Sequence, residues 1–236
     1  MTNEFEILNA QFIGYGNPKG KYWFGGIEGA APIDKWEDVE NFCKELSGRK
    51  YMPDPPGVTA KTRKDMGSNY TKIYGPMAKI VLMHRGGKNE VSIKEVNDYV
   101  DEELFMEYGD IFQINLYPLG KPNVKSWEEK YNEWFKFKDK DEYLIKVRKD
   151  RFPKIKEFVE DEQYHHPKRI IVCFGIMNLE DYKNAFGADL LVQNGKFSKI
   201  YTDQYHRLLV VYSPAYGNLS DQDMKDTVQI MREFGD

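Results

Sequence analysis

The chain has 236 residues, of which 41% are hydrophobic and 31% charged, with a net charge of −4 and a pI near 5.7. That is enough apolar material for a sizeable core, and the acidic balance argues against a general nucleic-acid coat while leaving room for a local basic face. No apolar run approaches the ~20 residues needed to span a bilayer.

The N-terminus, "MTNEFEILNA", carries Glu4 and Glu6 and lacks the basic-then-apolar pattern of a signal peptide, so a cytoplasmic protein is expected, with no membrane partner. Two cysteines and four histidines cannot supply a four-thiolate cluster or a C-x₂-C zinc site. His165 and His166 are adjacent, which points their rings apart, and no metal site is expected. Cys43 falls on an amphipathic pattern and Cys173 inside an apolar run. Neither suggests a disulfide in this compartment.

In chain order, the first strand is "YWFGG", Tyr22–Gly26. Helical spacing of Trp36, Val39, Phe42, Cys43 and Leu46 predicts a helix over 34–46. Residues 48–67 form one long irregular stretch containing "PDPPG" and "KTRK", and a loop of that length is functional or mobile. Helices follow over 70–83 and 92–105, the second with Ser92 as cap before Glu95. "DIFQIN", 110–115, is the next strand. A long charged helix covers 141–159, where Pro153 should kink or split it. "RIIVCFG", 169–175, is a strand, 179–186 a short helix, "LLVVYSP", 208–214, a strand, and 220–234 the last helix, opening on "SDQD". Strands without polar alternation, separated by helices, predict an α/β fold: a three-layer sandwich with a central four-stranded, mainly parallel sheet, in a single domain over 1–236.

Ligands in such sheets bind beyond the carboxyl ends of the strands. Those ends read "GGIEGAAP", "NLYPLGKP", "GIMN" and "SPAYGNLS". Glu28 is the sole acid of the first. It is either a carboxylate that steadies a developing cation or a solvated turn acid. Asn115 ends the second strand. A carboxamide there either pairs with the polar edge of a planar ligand or bonds loop backbone. Tyr117 and Tyr15 could stack on a flat ring or pack their own loops. Ser213, with Tyr216 and Asn218 leading into the last helix, could hold a phosphate or form a plain strand-to-helix turn. Lys61, Arg63 and Lys64 could touch a nucleic-acid backbone or be solvated.

Taken in order, these pieces resemble the uracil-DNA glycosylase superfamily, over residues 12 to 231. Gly26-Ile27-Glu28 resembles its first motif, Asn115 in "QINLYPLG" its strand-end Asn, "IIVCFGIMNLEDYKNAF" its third strand and helix, and "SPAYGNLS" its last loop. The resemblance implies a monofunctional DNA glycosylase that needs no cofactor. It implies DNA as partner, no obligate protein partner, and a monomer. Glu28 would position water and steady the sugar cation, and Asn115 would read the base. Ser213, Tyr216, Asn218, Lys61, Arg63 and Lys64 would lie along the DNA backbone. Two departures stand out. Ser213-Pro214 occupies the place of the family's His-Pro. Ala30 occupies the place where uracil-specific members carry a bulky Tyr against the ring's C5 position. The small residue points to a 5-substituted pyrimidine, such as a deaminated 5-methylcytosine or a hypermodified phage cytosine, rather than plain uracil. A non-catalytic module of the same fold, or an enzyme acting on free nucleosides, would share these residues.

Overall fold

The computed structural model describes residues 3–27, 33–53, 74–120, 126–195, 198–202, 207–211 and 219–235. The four apolar runs of the sequence become four adjacent strands. They are β2 (Tyr22–Gly26), β4 (Ile111–Asn115), β5 (Ile170–Phe174) and β8 (Arg207–Val211). They pair in parallel in the order β4-β2-β5-β8.

The sheet is larger than the four strands expected. Among the described residues it has eight, in the order β3 (Tyr51–Met52), β1 (Gly14–Gly16), β4, β2, β5, β8, β7 (Ser198–Thr202), β6 (Leu190–Asn194). β1 is antiparallel to β4, and β3 continues that edge. β6 and β7 form an antiparallel hairpin on β8. These four additions carry weaker sequence signals than the central four. β1 is two glycines around Tyr15, β3 is two residues long, and Leu190, Leu191 and Val192 of edge strand β6 are exposed.

Alternation along each strand sends side chains to opposite faces, and two cores result. Trp23, Phe112, Ile114, Ile171, Cys173, Leu208 and Val210 face one. It is covered by α1 (Asn3–Glu6), α2 (Trp36–Leu46), α5 (Glu129–Phe135), α6 (Lys140–Glu160) and α7 (Leu179–Phe186). Tyr22, Phe24, Ile111, Val172, Phe174, Leu209 and Val211 face the other. It is covered by α3 (residues 74–85), α4 (Ile93–Glu102) and α8 (Asp221–Gly235). Each such side chain removed from water contributes ~1.5–3 kcal/mol. Among the described residues no helix is long and apolar enough to cross a membrane.

Local chemistry explains the helix ends. Ser92 caps α4: its Oγ accepts from the Glu95 N–H at 3.2 Å, and the Glu95 carboxylate accepts from the Ser92 N–H at 2.7 Å. The bond from the Ser92 backbone holds the Glu95 carboxyl down at about 2. Ser220 and Asp223 make the same reciprocal pair before α8. α4 ends earlier than the predicted 105, with Phe105 at φ 58° beyond it.

Pro153 does not split α6, which runs unbroken from Lys140 to Glu160. The ring sits on the exposed side, where water can serve the Lys149 carbonyl left without its donor. Buried Phe152 and Ile155 pin the helix to the sheet on both sides of it.

Two glycines are demanded by geometry. Gly25 lies opposite Cys173. A Cβ there would collide with Cys173 Sγ and lie 3.3 Å from Phe186, so its bare backbone lets α7 close on the sheet. Gly16 has φ +95°, which turns the chain into Asn17. The Asn17 amide then donates to the Gly109 carbonyl at 2.8 Å.

Candidate functional site

The carboxyl edge of the parallel strands is where the sequence places its polar residues. Gly26 ends β2 and Asn115 ends β4, and the two are register partners. The pairing continues past both strands. Leu116 N–H donates to the Gly26 carbonyl at 2.9 Å, and Tyr117 N–H to the Ile27 carbonyl at 2.8 Å. The two strand-end segments therefore run side by side up to the residue that precedes Glu28. Glu28 and Ala30 themselves lie outside the described residues, as do Lys61, Arg63, Lys64, Ser213, Pro214, Tyr216 and Asn218.

Asn115 shares a face of β4 with Ile111 and Gln113, the face of the second core. Its side chain is half-buried. Gly26 beside it has no side chain, so nothing on β2 stands over the amide at that level. One step back, Gln113 is flanked by register partners Phe24 on β2 and Tyr15 on β1. Gln113 Nε2 approaches Asn115 Oδ1 at 3.5 Å, the outer limit of a hydrogen bond. Its Oε1 is buried without a partner among the described residues. Phe24 stacks parallel to Phe174 of β5, with centroids 6.5 Å apart.

The Asn115 main chain is held from the other side by Arg151 of α6, which is 1% exposed. Its guanidinium donates to the Asn115 carbonyl from Nε at 3.2 Å and Nη2 at 2.9 Å. Nη1 also donates to the carbonyls of Leu8 (3.1 Å), Asn9 (3.1 Å) and Phe12 (2.5 Å), and Nη2 to that of Ile13 (3.1 Å). These carbonyls belong to a π-helical turn, Ile7–Gln11, and the residues after it. One buried cation thus ties the N-terminal segment to the end of β4. Burial lowers its pKa to about 10, so it remains charged at neutral pH. The sequence signal for Arg151 is its place on the apolar stripe of α6, four residues from both Val147 and Ile155. The signal for Gln113 is its two-residue spacing from Asn115 on a strand.

Tyr117 turns to the opposite face and is 3% exposed. Its ring packs against Tyr143 and Phe152, and its hydroxyl donates to Asp181 Oδ2 at 2.7 Å. Arg148 grips the same carboxylate through Nε (2.9 Å) and Nη2 (3.1 Å). Burial, then the bond to Asp181, pushes the Tyr117 phenol up, and Asp181 raises Arg148. Of its two sequence readings, the packed one describes Tyr117 here. Tyr15 stays beside Gln113, half-buried, with its ring edge-on to Phe12 at 4.8 Å. Burial, with Tyr74 nearby, pushes its phenol up as well. Trp23 is core, as its run suggests, at 0% exposure.

Compared with protein-family models and with curated proteins, the chain matches none. The described side of the site offers two carboxamides on one strand face and a phenol next to them. That set can hydrogen-bond the edge of a flat heterocycle. Among the described residues no group of three or more His, Cys, Asp or Glu is placed to hold a metal ion.

Proposed function

We propose that the protein is a DNA glycosylase that hydrolyses the N-glycosidic bond of a 5-substituted pyrimidine flipped out of DNA. The observation that supports it best is the parallel pairing of Gly26 with Asn115, extended by the Ile27–Tyr117 bond. It brings the chain leading into Glu28 alongside the reading amide, as the order of the motifs requires.

In this reading the target nucleotide swings out of the helix and its base enters the carboxyl edge of the sheet. Asn115 bonds the polar edge of the base. The glycosidic bond stretches toward an oxocarbenium-like sugar. Glu28 stabilises that cation and directs water to C1′. The bond's electron pair leaves with the base, which gains a proton, and the sugar gains hydroxide. Electrostatic stabilisation of the separating charges supplies most of the rate, and no cofactor takes part. Ala30 leaves room for a substituent on C5. Ser213, Tyr216, Asn218, Lys61, Arg63 and Lys64 hold the strand. Substituted cytosines of this kind occur in phage DNA, and phage defence is the matching role.

The test is mass-spectrometric detection of free base from oligonucleotides carrying uracil, thymine opposite guanine, 5-hydroxymethylcytosine or glucosylated 5-hydroxymethylcytosine. Release of a 5-substituted base in preference to uracil is expected. Release of uracil alone, or of no base from any of them, would overturn the reading.

A further inference from the structure

We infer that Gln113 is a second base-reading side chain, paired with Asn115, and that together they select a ligand edge carrying a donor next to an acceptor. The inference rests on the base-site reading above and names a residue that reading does not use.

Gln113 is 8% exposed on a strand between Tyr15 and Phe24. A carboxamide there costs the fold stability unless both its ends are bonded. Neither end is well served. Nε2 reaches Asn115 Oδ1 at 3.5 Å, and Oε1 has no partner among the described residues. An apolar side chain of similar length would pack better against Phe24 and the core around it. The amide is explained if its free end is kept for a ligand. Residues i and i+2 of a strand are ~6.6 Å apart at the backbone, and the longer Gln113 side chain closes that gap toward Asn115.

The chemistry of the ligand follows from the pair. With Gln113 Nε2 turned to Asn115 Oδ1, the groups left over are the Gln113 Oε1 acceptor and the Asn115 Nδ2 donors. Turning both amides over exchanges these roles and still leaves one acceptor and one donor. A phosphate offers acceptors alone, and an ammonium donors alone. A pyrimidine edge offers both, side by side. Gly26 leaves the space beside Asn115 free of a side chain on β2.

The probes are short oligonucleotides carrying one non-hydrolysable 2′-fluoro thymidine or 2′-fluoro 5-methylcytidine. The control carries 2,4-difluorotoluene, which has the shape of thymine without its hydrogen-bonding edge. Binding is measured for the wild type, Gln113→Leu and Asn115→Ala, with melting temperatures for each. Gln113→Leu is expected to melt no lower than the wild type, because it removes an orphaned polar group. It should lose at least ~10-fold of the preference for the pyrimidines over difluorotoluene, the cost of unpaired polar groups in a site. Gln113→Met, an unbranched apolar replacement, is read the same way if the leucine variant does not fold. Full preference in the Gln113 variants, with preference lost in Asn115→Ala, would overturn this inference and leave the base site standing. A wild type with no preference for the pyrimidines would remove both.

Discussion

Arg151 Nη2 lies 2.9 Å from the Asn115 carbonyl, so the residue that ends β4 is fixed by a buried cation from a helix 36 residues further along the chain. The Asn115 carbonyl is turned to that guanidinium, while the chain beyond it stays paired to the Gly26–Ile27 segment. Arg151→Met leaves the carbonyls of Leu8, Asn9, Phe12, Ile13 and Asn115 without their donor. Urea unfolding should show a loss of ~3–5 kcal/mol, the range for breaking a buried charged network. Arg151→Lys keeps a charge but not the planar fork, and it should recover only part of that loss.

Tyr117→Phe keeps the packing against Tyr143 and Phe152 and removes the bond to Asp181. The expected cost is ~0.5–1.5 kcal/mol in urea unfolding. Any base-release activity should stay within about twofold of wild type, since surface and packing changes away from the reacting groups act on stability first. A large fall in activity with unchanged stability would restore Tyr117 to the base site.

Gly25→Ala forces a methyl against Cys173 Sγ and the Phe186 ring. Overpacking of this kind costs ~1–3 kcal/mol. Cys173→Ala makes room for it. A double-mutant cycle should therefore give a combined loss smaller than the sum of the two single losses. Simple additivity would mean that the strand shifts to absorb the methyl.

Helix α4 predicts an acid limb. The Glu95 carboxyl falls from its ordinary 4.5 to about 2 in the folded chain. A depressed carboxyl binds fewer protons folded than unfolded, so its contribution is present above about pH 4.5 and lost as pH falls toward 2. Glu95→Gln should flatten that part of a stability-against-pH curve measured by chemical unfolding. Ser92→Ala, which removes the cap itself, should cost ~1 kcal/mol at neutral pH.

The parallel centre of the fold was legible because Phe24, Ile114, Val172 and Leu209 lie in short apolar runs bounded by turn residues. The cap of α4 was legible because Ser92 stands before Glu95 at the right spacing, and the start of α8 because "SDQD" opens it. The outer strands were not, since β1 and β3 present two or three residues and β6 is exposed on both faces. The continuity of α6 through Pro153 depends on tertiary packing by Phe152 and Ile155, which a local rule does not contain. At the candidate site, Asn115 was visible as an amide closing an apolar strand. Arg151 was hidden in a charged helix, where its burial shows only once Val147 and Ile155 are placed on the same stripe. Tyr117 could be read two ways because the partner that turns it, Asp181, is distant in the chain.

In the proposed reaction Glu28 acts on a base held by Asn115. The decisive measurement is single-turnover base release from whichever 5-substituted oligonucleotide the wild type opens fastest, compared between wild type and Glu28→Gln. Release by the wild type is expected, with a fall of at least ~100-fold in the variant and DNA binding kept, because a charge aimed at the transition state is gone. Equal rates in the two proteins, or no free base from the wild type, would contradict it.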